Sequence, residues 1–431
     1  MGLGRLTMDL SPLRSSHDFR VMFVARVVAL VGISLTLVAL SVQVFRATGS
    51  SLSVGMVNVV AGTALLLGTL AGGVLADRFE RRQLLVLSRS GAAACFAALA
   101  LNAQADHPQL WVIYVVAAAV GAIDGVSETA LVAIVPDLVR SEQLAAAGAL
   151  TAITTQMATI VGPSLAGIII AGPGVGLCYG ITFVATVIQV ALMSRVRRRP
   201  PAEVEHQHPL RAIAEGLRFV RRSRIITGLL LVDLCGVLFA LPYSVFPEMA
   251  IDVLHGDART LGMMYSAPAV GAFLAALLSG WVGRHRRPGA VLIGAVLLWG
   301  LGMALFGLGP SLPLTLVFLA LAGGGMMFSE ILQRALLQQH TPSHLMGRVG
   351  SLWLVEATVG PAAGAALAGA LAAAAGPRFA VVAGGLACIL GVVTVAVVLP
   401  ELARARPGAV GPSEQLDAAS EVATPAPEGL G

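Results

Sequence analysis

Charged residues are scarce in this sequence. They make up 12% of the 431 residues. The sequence contains no lysine, so all 28 basic residues other than histidine are arginines. Hydrophobic residues make up 57% and the mean hydropathy is +0.85, which is more apolar surface than a soluble globule of this size can bury. The sequence therefore predicts an integral membrane protein. Its pI near 9.5 does not indicate nucleic-acid binding, because the arginines lie between hydrophobic runs.

Motifs for catalysis, nucleotide binding and metal binding are also missing. The four cysteines lie singly in separate apolar runs, so they form no pair with metal-ligand or redox spacing. His340 and His344 have the spacing of a metal pair, but Pro342 interrupts the helix that would align them. The sequence contains neither a P-loop nor a Gly-x-Ser-x-Gly nucleophile pattern. We therefore predict no enzymatic activity, no cofactor and no metal site, and expect an ion gradient as the energy source.

Twelve hydrophobic runs are long enough to cross about 30 Å of hydrocarbon as helices. Turn residues such as Gly172-Pro173-Gly174 and Gly376-Pro377 mark several boundaries. The predicted fold is therefore an all-α membrane protein with twelve transmembrane helices. The predicted ranges are 21–44 (TM1), 53–75 (TM2), 84–104 (TM3), 110–134 (TM4), 144–171 (TM5), 175–194 (TM6), 225–248 (TM7), 260–282 (TM8), 289–309 (TM9), 312–337 (TM10), 350–374 (TM11) and 379–399 (TM12).

Arginines cluster on one side of the predicted spans. Short cytoplasmic loops retain positive charge, and the even number of spans then places both termini in the cytoplasm. The first 20 residues contain no apolar run of signal-peptide length, so TM1 itself is predicted to direct insertion. The predicted cytoplasmic side has Arg78, Arg81, Arg82, Arg195, Arg197, Arg198, Arg199, Arg284, Arg286 and Arg287, whereas the opposite loops have Arg46, Arg259 and Arg378.

This topology divides the chain into five segments. We predict a cytoplasmic N-terminus (1–20), a six-helix bundle (21–194), a cytoplasmic linker (195–224), a second six-helix bundle (225–399) and a disordered cytoplasmic tail (400–431), which has too little apolar content to pack. A helix on the membrane surface is predicted within the linker, and it either couples the bundles or only anchors the linker. Its apolar positions at helical spacing are Leu210, Ile213, Leu217 and Val220.

The two predicted bundles are related by an internal repeat. Duplicated six-helix halves that face each other around a site near the midplane are typical of secondary transporters. The repeat therefore predicts two pseudo-symmetric halves and transport of a solute. Ser127-Glu128 and Gly148-Ala149-Leu150 match Ser329-Glu330 and Gly350-Ser351-Leu352 at an offset of 202 residues, and Gly55-Met56 and Gly73 match Gly262-Met263 and Gly280 at an offset of 207.

The segment after TM2 carries a motif, Gly73-Val74-Leu75-Ala76-Asp77-Arg78-Phe79-Glu80-Arg81-Arg82. It resembles the loop 2–3 signature of the major facilitator superfamily, except that Glu80 stands where the family usually has Gly. The resemblance implies that Gly73, Asp77, Arg78, Arg81 and Arg82 form a conformational latch between the halves. A carboxylate at a helix N-terminus with neighbouring arginines can supply such an ionic cluster. The alternative is that these arginines only fix the orientation.

Two helices carry a Gly-Pro motif that resembles the one in antiporters of the superfamily. TM5 contains Gly162, Pro163 and Gly167, and TM11 repeats the pattern with Gly360 and Pro361. Small residues permit close helix approach and proline disturbs the hydrogen-bond ladder, which suits a helix that flexes between the halves. The alternative is ordinary glycine and proline, since both are common in membrane helices.

Further stretches are similar to those of siderophore exporters within this superfamily. The resemblance implies proton-coupled export of an enterobactin-like catecholate siderophore by alternating access, through the inner membrane of a bacterium. Related exporters share much of the pattern, so a broad-specificity drug or macrolide exporter is the alternative, and a non-transporting sensor or scaffold is the alternative from another class. The predicted partners are the lipid bilayer, protons and the small-molecule substrate, and the chain is predicted to act as a monomer. The similar stretches include His17-Asp18-Phe19-Arg20, Asp124-Gly125, His208-Pro209-Leu210, Gly347-Arg348 and Leu352-Trp353.

Ionisable residues inside the predicted spans are candidates for the transport site, because a charge within the membrane is costly and usually faces a cavity or another charge. We predict Asp124, followed by Glu330, as proton carriers, and Arg26 or Arg334 as the counter-charge or substrate anchor. The alternative is a permanent salt bridge, such as one between Glu330 and Arg26. The deep parts of TM3, TM6, TM9 and TM12 are predicted to contain no charge. The full set of candidates is Asp124, Glu330, Asp233, Arg26, Arg334, Glu356 and, closest to the cytoplasmic end, Glu128.

Overall fold

The computed structural model describes residues 11–196, 217–280, 285–342 and 345–405. Within these ranges, twelve helices are long and apolar enough to span a membrane, which confirms the predicted all-α fold with twelve transmembrane helices. The labels TM1 to TM12 are kept for them. The helices are His17–Thr48 (TM1), Ser51–Arg78 (TM2), Arg81–Gln104 (TM3), Leu110–Leu138 (TM4), Leu144–Ala171 (TM5), Val175–Met193 (TM6), Arg224–Phe239 (TM7), Ala258–Leu278 (TM8), Pro288–Leu308 (TM9), Leu312–His340 (TM10), Met346–Ala375 (TM11) and Pro377–Val398 (TM12).

TM1 extends beyond its predicted range because both of its ends are capped. The hydroxyl of Ser16 accepts a hydrogen bond from the backbone N–H of Phe19 at 3.2 Å, so the helix begins at His17. At the other end Gly49 adopts φ = 62°, and its N–H donates to the carbonyl of Phe45. Glycine tolerates this left-handed conformation, which explains why the helix stops there.

TM7 is shorter than predicted as a regular helix. It ends at Phe239, and the segment from Tyr243 to Val253 continues as single turns of 3₁₀-, α- and π-helix. Pro242 lacks an N–H group and disfavours helical backbone at the residue before it, so the regular helix cannot pass this point. The indole N–H of Trp299 donates to the carbonyl of Ala240 at 3.0 Å, and the Tyr265 hydroxyl donates to the carbonyl of Tyr243 at 3.0 Å. Both bonds satisfy backbone groups that water cannot reach in a membrane.

The same helix packing occurs twice in the molecule. In the first half, TM2 packs on TM4, TM3 packs on TM4 and TM6, and TM1 packs on TM5 and TM6. In the second half, TM8 packs on TM10, TM9 packs on TM10 and TM12, and TM7 packs on TM11 and TM12. Each contact in one half has its counterpart six helices later, as expected for a duplicated transporter fold.

The two halves meet through TM2 with TM11 and through TM5 with TM8. A Cβ atom at Gly55 would lie 2.5 Å from the carbonyl oxygen of Ala365, and one at Gly262 would lie 2.5 Å from that of Pro163. These contacts are equivalent, because 207 residues separate Gly55 from Gly262 and 202 separate Pro163 from Ala365. The offsets of the internal repeat therefore relate the two contacts between the halves.

Short helices lie outside the spans at both ends of the described chain. Ser11–Ser15 precedes TM1, and Pro400–Arg404 follows TM12. Leu402 is fully buried and packs over Gly228 of TM7. The predicted disorder of the tail is therefore wrong for residues 400–405, because Leu402 packs in an apolar site between helices. The remainder of the predicted tail, 406–431, lies outside the described residues, as do Leu210 and Ile213 of the predicted linker helix; residues 217–222 are helical.

The close packing between TM2 and TM11 predicts that a Gly-to-Ala substitution at this contact destabilises the protein. Gly55→Ala introduces a methyl group where the backbone of TM11 leaves no room, and overpacking costs about 1 to 3 kcal/mol. We expect the melting temperature of the purified protein to fall by about 1 to 3 °C.

Gly180→Ala in TM6 is the matched control, because no atom lies within 4 Å of the added Cβ. There the higher helix propensity of alanine should leave the melting temperature unchanged or raise it. Equal melting temperatures for Gly55→Ala and Gly180→Ala would contradict the close approach of TM2 and TM11.

Candidate functional site

An ion pair between a buried arginine and a partly buried aspartate lies in the first half. A guanidinium N–H of Arg89 in TM3 donates to a carboxylate oxygen of Asp124 in TM4 at 2.8 Å. Arg89 is only 5% exposed, and Glu128, one turn further along TM4, interacts electrostatically with Asp124. The expectation that the interior of TM3 carries no charge is therefore wrong: Arg89 lies about 12 Å along that helix and supplies the counter-charge for Asp124.

The second half carries a group of carboxylates from three helices. Asp233 in TM7 interacts electrostatically with Glu330 in TM10 and with Glu356 in TM11. Asp233 and Glu356 lie about 14 and 15 Å along their helices from the end that carries the termini. In the part of the chain that the structure describes, neither of them forms an ion pair. One carboxylate oxygen of Glu356 is buried without a hydrogen-bond partner.

The two arginines predicted as counter-charges, Arg26 and Arg334, differ in their partners. Arg334 donates a hydrogen bond to Glu330, one turn earlier on the same helix, so Glu330 is paired within TM10 and not with Arg26. Arg26 in TM1 has a buried Nε that finds no hydrogen-bond partner among the described residues. The guanidinium of Arg334 also lies over the ring of Trp353 in TM11, 5.6 Å from its centroid.

The loop 2–3 motif lies at the end of the bundle that carries the termini. Arg82 donates to the carbonyl oxygens of Met193, at 3.4 Å, and Ser194, so it caps the last turn of TM6 within the first half. Arg78 is exposed, and Gly73 has no neighbouring atom within 4 Å of an added Cβ. Arg81 has an interaction partner, whereas the side chain of Asp77 lies outside the described part. The latch predicted for this motif stays a prediction.

The Gly-Pro motifs lie beside neighbouring helices. Both helices that carry the motif remain continuous through Pro163 and Pro361. Gly162 packs against Ser34 of TM1, and a Cβ at Gly167 would lie 2.5 Å from the carbonyl of Ala258 in TM8. Gly360 packs against Val237 of TM7. The motif in TM5 therefore touches the other half directly. In TM11, Thr358 and Ala362, on either side of Pro361, lie next to Gly62 of TM2 in the other half.

Polar contacts between the halves lie from the end opposite the termini to about the middle of the bundle. Ser51 at the start of TM2 donates to Glu248, in the segment that follows TM7. The hydroxyls of Tyr265 in TM8 and Ser41 in TM1 are 3.1 Å apart. Deeper in the bundle, the hydroxyls of Ser164 and Ser266 are 2.8 Å apart. These contacts hold the halves together at the end remote from the termini.

The sequence matches the family described as transmembrane secretion effector over residues 7–422. Among relatives with assigned names, the enterobactin exporter EntS of Shigella boydii serotype 18 is 34% identical over 399 residues, which cover 93% of this chain and 96% of the relative. The protein of the same name from Escherichia fergusonii has the same identity and coverage.

Solved structures with a similar fold are transporters. A POT family transporter in complex with 5-aminolevulinic acid matches with a TM-score of 0.71 at 11% sequence identity. The match covers 90% of this chain and 97% of the transporter. A bacterial homologue of the human lysosomal transporter Spinster, in an inward-facing and unoccupied conformation, has a TM-score of 0.65 at 15% identity and covers 92% and 96%. Taken with the family match, this shows that the chain belongs to the transmembrane secretion effector family, a group of transporters within the major facilitator superfamily.

Proposed function

We propose that this protein exports an enterobactin-like catecholate siderophore from the bacterial cytoplasm. The observation that carries the proposal is the similarity over 93% of the chain to proteins named as enterobactin exporters. The candidate site supports it, since Arg334 and Glu330 project from TM10 at a depth where membrane proteins keep charges only in water-filled or protein-lined cavities. Such groups can form hydrogen bonds with the paired oxygens of a catechol.

The direction of transport follows from the proposed orientation in the inner membrane. With both termini in the cytoplasm, as the arginine distribution favours, the contacts between the halves seal the periplasmic side and the candidate site opens to the cytoplasm. The two six-helix bundles are then the moving bodies, and they rock about the site in a monomer. The loop 2–3 arginines lie on the cytoplasmic side, where a latch would act in the opposite, outward-open conformation.

Proton coupling is the finer part of the proposal. Asp233 and Glu356 lie within electrostatic range of each other, and no cation pairs with either among the described residues. Two carboxylates that share a region of low dielectric are favoured to hold one proton between them. A proton released when substrate binds, and regained from the periplasm, would drive export. Asp124 fits this role less well, since Arg89 already compensates its charge.

Inverted membrane vesicles with an acidic lumen test both parts of this proposal. We expect the wild-type protein to accumulate iron-free enterobactin in the lumen. Asp233→Asn and Glu356→Gln should each lower this gradient-driven accumulation at least about 10-fold, while exchange of labelled for unlabelled substrate without a gradient persists, because only the proton step is lost.

Glu401→Gln is the control for that experiment. Glu401 lies in the short helix after TM12, away from the candidate site. Its hydrogen bond from Arg224 holds the pKa of its carboxyl below the ordinary value, so the substitution removes a negative charge. Its transport should match wild type. Accumulation of a hydrophobic dye but not of enterobactin would instead support the drug-exporter alternative, and undiminished gradient-driven transport in both site variants would refute the assigned proton carriers.

The ion pair between Arg89 and Asp124 yields a separate prediction. Asp124→Asn leaves a buried guanidinium that cannot lose its proton, whereas Arg89→Gln leaves a carboxylate that can be neutralised by protonation. We expect both single variants to lose stability, Asp124→Asn more so, by about 3 to 5 kcal/mol, and the double variant to recover most of it. The melting temperature and the yield of monodisperse protein measure this.

Transport by the double variant then separates a structural from a functional pair. We expect gradient-driven accumulation to survive, because the pair braces TM3 against TM4. If the double variant folds and exchanges substrate but no longer accumulates it against a gradient, the proton carrier is Asp124, as the sequence alone predicts.

A further inference from the structure

Three side chains on the inner part of the second half form a group that the transport cycle described above does not use as a unit. Glu330 and Arg334 share one face of TM10 and are joined by a hydrogen bond, and the Arg334 guanidinium lies over the Trp353 ring of TM11, 5.6 Å from its centroid. Trp353 lies about 10 Å along TM11 from the end that carries the termini. The group is therefore located near the proposed cytoplasmic opening.

The exposure of this group shows that it faces the cleft. The side chains of Arg334 and Glu330 are 62% and 36% exposed although both lie within a spanning helix. Charged groups that face lipid are strongly disfavoured, and Glu330 interacts electrostatically with Asp233 of TM7. That side of TM10 therefore points toward TM7 and TM11 and the space between the halves.

The chemistry of the group matches an aromatic ring with two adjacent hydroxyls. The face of an indole attracts cations and stacks with other aromatic rings in offset or edge-on geometry. Arg334 makes one hydrogen bond to a described residue, that to Glu330, so most of its five N–H donors remain for a ligand. Glu330 accepts hydrogen bonds from hydroxyl groups, and Arg334 donates to their oxygens.

We propose that Trp353, Arg334 and Glu330 form the cytoplasmic docking site for a catechol ring, in which the ring stacks on Trp353 and its hydroxyls bond to Arg334 and Glu330. This inference rests on the proposed export of a catecholate siderophore and names the residues that select its aromatic group. Trp353 is then the specificity-determining residue, since it contacts the aromatic ring of the ligand, whereas Arg334 and Glu330 contact the hydroxyl groups.

Tryptophan fluorescence of the purified full-length protein provides the first test, with catechol as the probe. We expect saturable quenching in the wild-type protein that disappears in Trp353→Leu and persists in Trp111→Phe, a matched control at the exposed start of TM4. Cyclohexane-1,2-diol, which has the two hydroxyls without the aromatic ring, should not quench by a saturable process. Quenching that remains saturable in Trp353→Leu would overturn the proposal.

Transport kinetics distinguish recognition from a structural role of the same residue. For enterobactin export, Trp353→Leu should raise KM about 5- to 10-fold with little change in kcat, whereas Trp353→Phe, which keeps an aromatic face, should stay within about 3-fold. A tryptophan that only braces TM10 against TM11 would instead lower kcat and the melting temperature in both variants. Saturable catechol quenching in a protein that exports no enterobactin would refute the proposed function and leave this site in place.

Discussion

A charge in the hydrocarbon layer costs several kcal/mol unless a partner or water compensates it, and this constraint arranges the polar side chains of the molecule. In the first half it joins Arg89 to Asp124 across two helices. In the second half the carboxylates of Asp233 and Glu356 have no such partner among the described residues, so they require a proton, water or a ligand. The charge of Asp124 is therefore compensated by an arginine, whereas those of Asp233 and Glu356 are left open to exchange with a proton or a ligand.

The hydrocarbon layer also requires that backbone groups at the contact between the halves have hydrogen-bond partners. The break in TM7 is satisfied by bonds from Trp299 and Tyr265 to backbone carbonyls of the same half. The Tyr265 hydroxyl additionally meets Ser41 of the opposite half. When the halves rock apart, the contact with Ser41 can break while the carbonyl of Tyr243 stays satisfied. The irregular segment after TM7 is thus satisfied by bonds within its own half, and these bonds do not depend on the contact with the other half.

The sequence predicts the spans and the repeat well because both depend on local composition and on spacing along the chain. The end of regular helix in TM7 differs from the prediction although Pro242 marks it, because apolar residues such as Val245 and Phe246 follow the proline. The pairing of Arg89 with Asp124 cannot be deduced from spacing, because the residues are 35 positions apart on different helices. An arginine inside the predicted TM3 indicates only that it has some partner. The stacking of Arg334 on Trp353 likewise depends on how two helices pack, which spacing does not encode.

The repeat shows which ionisable residues differ between the two similar halves. At the offset of 207 residues that relates His17 to Arg224 at the starts of TM1 and TM7, Arg26 corresponds to Asp233, a residue of opposite charge. At the offset of 202, Asp124 corresponds to Met326 and Glu356 to Thr154. The glycine contacts between the halves have kept their symmetry. Among the ionisable positions Glu128 and Glu330 still match, whereas Arg26, Asp124 and Glu356 have no counterpart of the same charge. In the proposed export cycle, the symmetric contacts would let both halves move alike, while the proton and the substrate would bind to one of them.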